Sequence, residues 1–181
     1  MRVLVLGGDG FLGSHFVDQA VKAGHEITVF DRFPYLTSKN LEHQRGKVRF
    51  ISGEFASRDT VSKALEGQDI VYHFICSSNP AESWHDPFLE INQNLTASIQ
   101  FFQLAALKEV RKIVFPSSGG TVYGPQEKAI HENTVPRPFS PYGIIKLTTE
   151  YFLNYIQKKE GIKVDIYRIG NAYGPRCYVP E

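Results

Sequence analysis

Val3-Leu4-Val5-Leu6-Gly7-Gly8-Asp9-Gly10-Phe11-Leu12-Gly13 begins two residues into the chain, and its reading decides the fold. Four consecutive apolar residues read as a short strand buried on both faces. The glycine-rich turn follows, and then Phe11, Leu12, Phe16, Val17 and Ala20 recur at helical spacing through Ala23. Gly24 stops that helix in the C-cap manner. A strand, a glycine turn and a helix in this order are the opening half of a unit that makes parallel sheets.

The rest of the chain repeats the alternation. Strands are expected over 26–30, 48–51, 69–75, 112–115 and 163–169. A short helix is expected over 59–65, with Asp59 as its N-cap. A long helix is expected over 88–107, with Ile91, Leu95, Ile99, Phe102 and Ala106 on one face. The last helix is expected over 141–159, opened by Ser140 as cap and Pro141 at its first position. Strands that alternate with helices predict an α/β fold, a doubly wound parallel sheet, in one domain spanning 1–181. In such sheets ligands sit at the carboxyl ends of the strands, near the switch point.

Composition narrows the classes of function. The 181 residues suffice for one domain with a real core. A net charge of +1 argues against non-specific binding to nucleic acid or to a membrane surface. Cys76 and Cys177 show no metal-ligand spacing and read as free thiols of a reducing compartment. Met1 runs straight into a strand without the layout of a signal peptide, and no apolar stretch is long enough to span a bilayer. The expectation is a cytoplasmic protein without a bound metal.

The glycine turn carries the first chemistry. Gly7 permits the tight turn, Gly10 lets backbone approach a pyrophosphate, and Gly13 lets the helix pack close to the sheet. The phosphates then meet the helix N-terminus, where free N–H groups and the dipole favour an anion. Asp31 ends the second strand, where an acid accepts hydrogen bonds from ribose hydroxyls and repels a 2′-phosphate, favouring NAD over NADP. Arg32 beside it pulls the other way unless it is a solvated side chain.

The second chemistry lies late in the chain. Tyr142 and Lys146 are one helical turn apart and share a face. An ammonium beside the phenol, together with a positive nicotinamide, favours the phenolate, so that Tyr142 can act as a general base. Lys146 can also hold the nicotinamide ribose. Upstream, Ser117-Ser118-Gly119-Gly120-Thr121 supplies a hydroxyl for the substrate oxygen. Ser118 is the first choice, and Ser117 and Thr121 compete for the role.

As an ordered set these residues resemble the extended short-chain dehydrogenase/reductase family, and within it the NAD-dependent epimerase/dehydratase group. The matching segments are Gly7-x-x-Gly10-x-x-Gly13, Asp31, His73-Phe74-Ile75-Cys76, Asn94, Ser117 to Gly124, Tyr142-x-x-x-Lys146 and Arg168 to Pro175. The resemblance implies a Rossmann-like domain that binds NAD. It implies that Phe11 and Leu12 present backbone to the pyrophosphate and that Glu54 and Phe55 flank the adenine. Phe74, Ile75 and Cys76 would line the cofactor, Asn94 would brace the active-site helix, and Asn171 would touch the substrate diphosphate. The implied reaction is epimerisation of a nucleotide-sugar, foremost a UDP-sugar, through a transient 4-keto sugar, with Tyr142, Lys146 and Ser118 as catalytic residues and Thr121 among the substrate contacts. It also implies homodimers through the long helices. Phe101, Phe102, Tyr151 and Tyr155 are candidates for that face, with burial in the core as the alternative.

Two departures from the family pattern qualify this reading. Gly119 and Gly120 stand where the 4,6-dehydratases carry an Asp-Glu pair, which argues against dehydration. The chain also stops at Glu181, before the last sheet strand and the substrate domain that family members usually add, so low turnover by the isolated chain is expected. The alternatives are a nucleotide-sugar reductase or dehydrogenase, and a non-catalytic NAD-binding module.

Overall fold

The computed structural model describes residues 1–33, 37–78 and 80–177. The first apolar run becomes the middle of a sheet. Strand β1 (Arg2–Leu6) pairs in parallel with β2 (Glu26–Asp31) on one side and with β4 (Ile70–His73) on the other. Val3 to Leu6 are at most 2% exposed, as a strand covered on both faces requires. β3 (Arg49–Ser52) lies outside β2, β5 (Lys112–Ser118) follows β4, and β6 (Lys163–Ile169) follows β5. The six strands are all parallel, in the order β3-β2-β1-β4-β5-β6. The order reverses between β1 and β4, and that is where a crevice opens at the carboxyl ends.

Helices cover both faces, and alternation along each strand assigns the two cores. Val3, Val5, Ile27 and Val29 pack with Val17 and Ala20 of α1 (Phe11–Lys22). Leu4, Leu6, Phe30 and Ile113 pack on the opposite face. There they meet Val61 and Leu65 of α2 (Arg58–Leu65), Phe101 and Phe102, and Leu153 of α5 (Pro141–Glu160). The helix that carries the two phenylalanines is built of three abutting pieces. They are a single turn α3 (Pro87–Leu89), a π-helical stretch (Glu90–Thr96) and α4 (Ala97–Leu107).

Several local expectations need correction. The N-cap position of α2 is Ser57, and Asp59 sits in the first turn, where its charge favours the helix dipole without capping. β4 stops at His73, so Phe74, Ile75 and Cys76 lie in the crevice beyond the strand. β5 runs on to Ser118. Ile91 is 43% exposed, whereas Glu90 and Asn94 are buried, so the apolar stripe assigned to that helix fails at its first member, while Phe102 is in the core and Leu95, Ile99 and Ala106 are half-buried. The π turn is the reason: its wider winding breaks the 3.6-residue period on which the stripe was drawn. Phe101 and Phe102 are core residues, while Tyr151 and Tyr155 are exposed. β6 pairs with β5 alone among the described residues. No helix of the described residues is long and apolar enough to cross a membrane.

Candidate active site

The glycine turn is built as its spacing requires. Gly7 has φ +72°, and a Cβ there would lie 2.8 Å from the Ile75 nitrogen. A Cβ on Gly13 would lie 2.2 Å from the Gly7 carbonyl oxygen, so only glycine lets α1 start this close to the sheet. Gly10 occupies the N-cap position in extended conformation and makes no side-chain cap. The first N–H groups of α1, including those of Phe11 and Leu12, therefore have no helical acceptor and form an anion cradle.

A cavity of about 310 Å³ runs from this turn along the carboxyl ends of the strands. Of the residues assigned to the cofactor, Gly7, Gly10, Asp31, Arg32, Glu54, Phe55, Phe74, Ile75 and Cys76 line it. Phe30, Gly53, Ala56, Ser77 and Gln93 line it too, and no spacing pointed to them. Gly53 is glycine for a reason only the fold shows, because a Cβ there would press on the Phe30 ring at 3.0 Å. The Phe55 ring doubles as core, edge-on to His73 at 4.9 Å.

Asp31 is held by two backbone donors. Its carboxylate accepts from the Asp9 N–H at 2.9 Å and from the Arg32 N–H at 2.8 Å. Burial nevertheless outweighs these bonds and raises its pKa above the ordinary carboxylate range. Arg32 is exposed at the rim of the cavity. Asp9, to which the sequence assigned no role, also organises the next loop. Its carboxylate accepts from the N–H groups of Lys39 and Asn40 at 2.7 and 2.9 Å, and from the Ser38 hydroxyl.

Ile75 and Cys76 also line a second, small cavity, shared with Glu90, Asn94, Tyr142 and Lys146. Ser140 starts α5 as expected, its Oγ accepting from the Gly143 N–H at 3.1 Å. That start aims Tyr142 and Lys146 at β5. Lys146 is 8% exposed and its Nζ donates to the Pro116 carbonyl at 3.1 Å, above the Phe115 ring and 5.6 Å from the Tyr142 ring centre. In the protein alone, Tyr142 is pushed well above the usual tyrosine range. Burial is the main cause, and the neighbouring Cys76 and Glu90 add to it. Asn94 braces the site from the π turn, its Oδ1 accepting from both the N–H and the hydroxyl of Ser77.

The three hydroxyls of the 117–121 segment separate in the structure. Ser117 is buried and its Oγ donates to Glu150 Oε1 at 2.5 Å, so it is committed to the interior. Glu150 is in turn clasped by Arg168, whose Nη2 lies 2.7 Å from Oε2 and whose Nη1 donates to the Tyr123 hydroxyl at 2.8 Å. Ser118 alternates with Ser117, so its side chain leaves β5 on the other face. Thr121 Oγ1 is buried without a hydrogen-bond partner among the described residues. Asn171 is exposed beyond β6, its Oδ1 3.2 Å from where a Cβ on Gly120 would stand.

Comparison with known proteins agrees with this architecture. Residues 3–181 match the sequence model of the NAD dependent epimerase/dehydratase family. The UDP-glucose 4-epimerase of Lactobacillus helveticus is 34% identical over 176 residues, covering 96% of this chain and 52% of that protein. The crystal structure of Thermus thermophilus UDP-glucose 4-epimerase in complex with NAD superposes with a TM-score of 0.89 at 34% identity, over 97% of this chain and 57% of the other. A dTDP-glucose 4,6-dehydratase from Streptomyces venezuelae, a double mutant with NAD bound, also superposes at 0.89, with 28% identity and the same coverages. The chain thus spans about half the length of the relatives it matches.

Proposed function

The chain belongs to the NAD-dependent epimerase/dehydratase family, and from that premise we propose that it carries the cofactor-binding part of a nucleotide-sugar 4-epimerase acting on a UDP-sugar. The observation that carries this reading is the pair of adjoining cavities. Ile75 and Cys76 wall both the crevice beneath the glycine turn and the space beneath Tyr142 and Lys146. A cofactor held along the first by Gly10, Asp31 and Phe74 would have Tyr142 and Lys146 beside it past Ile75 and Cys76.

The residues present fit NAD. The N–H groups of Phe11 and Leu12 receive the pyrophosphate, and Gly7, Gly10 and Gly13 leave room for it. Asp31 takes the adenosine ribose hydroxyls, Glu54 and Phe55 flank the adenine, and Lys146 reaches the second ribose. The Asp31 carboxylate would repel a 2′-phosphate, so NAD is preferred to NADP even though Arg32 also lines the cavity. When bound, NAD supplies the hydride acceptor and donor for reversible oxidation at a sugar carbon.

The chain's own groups handle the proton. Tyr142 takes it from the sugar hydroxyl and returns it after the 4-keto sugar has turned over. Lys146 and the cofactor's positive charge lower the cost of the phenolate, which burial otherwise raises. Ser118 and Thr121 are the hydroxyls left for the substrate oxygen, and Asn171 is placed for its diphosphate. Epimerisation is favoured over dehydration because Gly119 and Gly120 offer no side chain for elimination. A Cβ at 119 would already meet the Arg168 carbonyl at 3.0 Å. We also infer a cytoplasmic setting, in which Cys76 and Cys177 stay free thiols. Pairing of two copies across the exposed Tyr151 and Tyr155 of α5 is the matching assembly, to be read by sedimentation of the wild type against a Tyr151→Ser/Tyr155→Ser chain.

Calorimetric titration with NAD and NADP, followed by UDP-sugar assays of the wild type and Tyr142→Phe, tests the reading. It predicts tighter binding of NAD, interconversion of sugars without net reduction of cofactor, and loss of turnover with NAD binding intact in Tyr142→Phe. Stoichiometric reduction or consumption of the cofactor would point instead to a dehydrogenase or reductase. NAD binding with no turnover even in a longer polypeptide would point to a non-catalytic module.

A further inference from the structure

A buried acid that the mechanism above does not use lies beside the Tyr142–Lys146 pair. Glu90 is 1% exposed and opens the π-helical stretch. Four residues on, the Asn94 Nδ2 donates to Glu90 Oε2 at 3.0 Å. The other end of the same amide accepts from the Ser77 N–H at 3.0 Å and the Ser77 hydroxyl at 3.1 Å. The carboxylate thereby orients Asn94, and Asn94 fixes the segment immediately after Cys76. Glu90, Cys76, Tyr142 and Lys146 line one cavity.

An ion this deep costs several kcal/mol unless something compensates it. The cation of the same cavity is Lys146. The groups around the phenol come from three elements: Cys76 from the segment after β4, Glu90 from the π turn and Lys146 from α5. His73 on β4 is near enough to feel Lys146, and it is neutral. π turns inserted in helices are frequent at functional sites, and this one puts a carboxyl group on the lining of the cavity that also holds the Lys146 ammonium.

We propose that Glu90 is the positioning counter-charge of this site, orienting Asn94 and opposing Lys146 at the Tyr142 phenol. Resting on the epimerase reading, this assigns Glu90 the task of keeping the phenol protonated until the cationic cofactor tips the balance. Glu90 touches no reacting atom and acts through Asn94 and through its charge.

Glu90→Gln separates the two duties, because the glutamine Oε1 still accepts from Asn94 while the charge is gone. The measurement is the ultraviolet phenolate signal of Tyr142, taken as wild type minus Tyr142→Phe, and as Glu90→Gln minus the Glu90→Gln/Tyr142→Phe double variant, across an alkaline titration. The phenolate of Glu90→Gln is expected about one pH unit earlier than that of wild type, the size of a typical charge effect at this range. Lys146→Gln is expected to delay it and tests the same balance should Glu90→Gln not fold. A Glu90→Gln phenolate that appears no earlier, or a Lys146→Gln phenolate that appears no later, overturns the proposal. No sugar turnover enters the measurement, so it can fail while the epimerase reading stands, and it survives a chain that turns over no sugar.

Discussion

The backbone N–H of Asp9 points at the Asp31 carboxylate at 2.9 Å, so the glycine turn and the end of β2 are tied to each other before any ligand arrives. The Asp9 side chain continues the tie into the loop that follows β2, through Ser38, Lys39 and Asn40. One carboxylate thus organises the loop, and the other is held in a fixed direction at the wall of the cavity.

Removing the two acids should therefore have different effects. Asp31→Asn is expected to weaken NAD binding roughly tenfold to a hundredfold, the worth of one or two hydrogen bonds to a charged group, and to narrow the gap between NAD and NADP. Asp9→Ala is expected to cost about 2 kcal/mol of stability and to weaken both cofactors alike. Calorimetry with each cofactor, beside urea unfolding, reads both. Equal discrimination by Asp31→Asn and wild type would show that Asp31 does not choose the cofactor.

Gly13 and Gly24 offer a comparison of two glycines used for different reasons. A methyl on Gly13 would overlap the Gly7 carbonyl at 2.2 Å, whereas Gly24 has φ +76° and nothing within 4 Å. Gly24→Ala should cost about 1 kcal/mol, from the left-handed backbone alone. Gly13→Ala should push α1 off the turn and abolish NAD binding even where the chain still folds. The check is the NAD affinity of the two variants at matched folding, judged by circular dichroism. A Gly13→Ala chain with wild-type affinity would refute the close-packing role.

Arg168 and Glu150 form a two-pronged ion pair, with Glu150 side-chain exposure of 6% and bonds from both Nε and Nη2. The hydrogen bond to Glu150 is the chief reason the guanidinium pKa is raised, while its own partial burial works against this. Arg168→Ala would leave a buried carboxylate without its cation, and a loss of roughly 3–5 kcal/mol is expected. Ser117→Ala removes only one hydrogen bond and should cost about 1 kcal/mol. Denaturant midpoints of the two variants should rank in that order. The reverse ranking would mean that Arg168 contributes little beyond its contact with Tyr123.

His73 gives the fold an acid limb. It is 1% exposed, ringed by Phe55, Phe101, Phe102 and Phe115, and its Nε2 meets the Ser98 hydroxyl at 3.1 Å. Burial, with repulsion from Lys146 as a second cause, brings its pKa down to about 3. In the unfolded chain the ring takes a proton near pH ~6.5. Stability from this residue is therefore whole above about pH 6.5 and is lost as the pH falls toward 3, because the unfolded state binds one proton more. His73→Phe should flatten the decline of the urea midpoint between pH 6.5 and 4, by roughly one proton's worth of slope. An unchanged slope would place the acid sensitivity in other groups.

What was legible in the sequence is what short-range chemistry dictates. The run Val3 to Leu6 had to be a covered strand, and Gly7, Gly10 and Gly13 had to be a turn into a helix. Ser140-Pro141 had to start α5, and Tyr142 and Lys146 then shared a face because a helix repeats every 3.6 residues. The partners of single polar groups were less legible. Asp9 had no assigned role, and Ser117, Ser118 and Thr121 competed as the hydroxyl next to the phenol, with Ser118 the first choice.

The sequence alone determined the alternation of strands and helices, hence the parallel sheet and the crevice at its carboxyl edge, because period, caps and glycines act within a few residues. Only the tertiary structure decided how the 117–121 hydroxyls divide, that Asp9 holds the loop after β2, and that Glu90 of the π turn lines one cavity with Tyr142. Those outcomes depend on groups 29, 33 or 18 residues apart, as in Asp9–Ser38, Ser117–Glu150 and Arg168–Glu150, meeting where strands and helices pack. Buried polar atoms must find partners wherever the packing puts them, and no local pattern records which they will be.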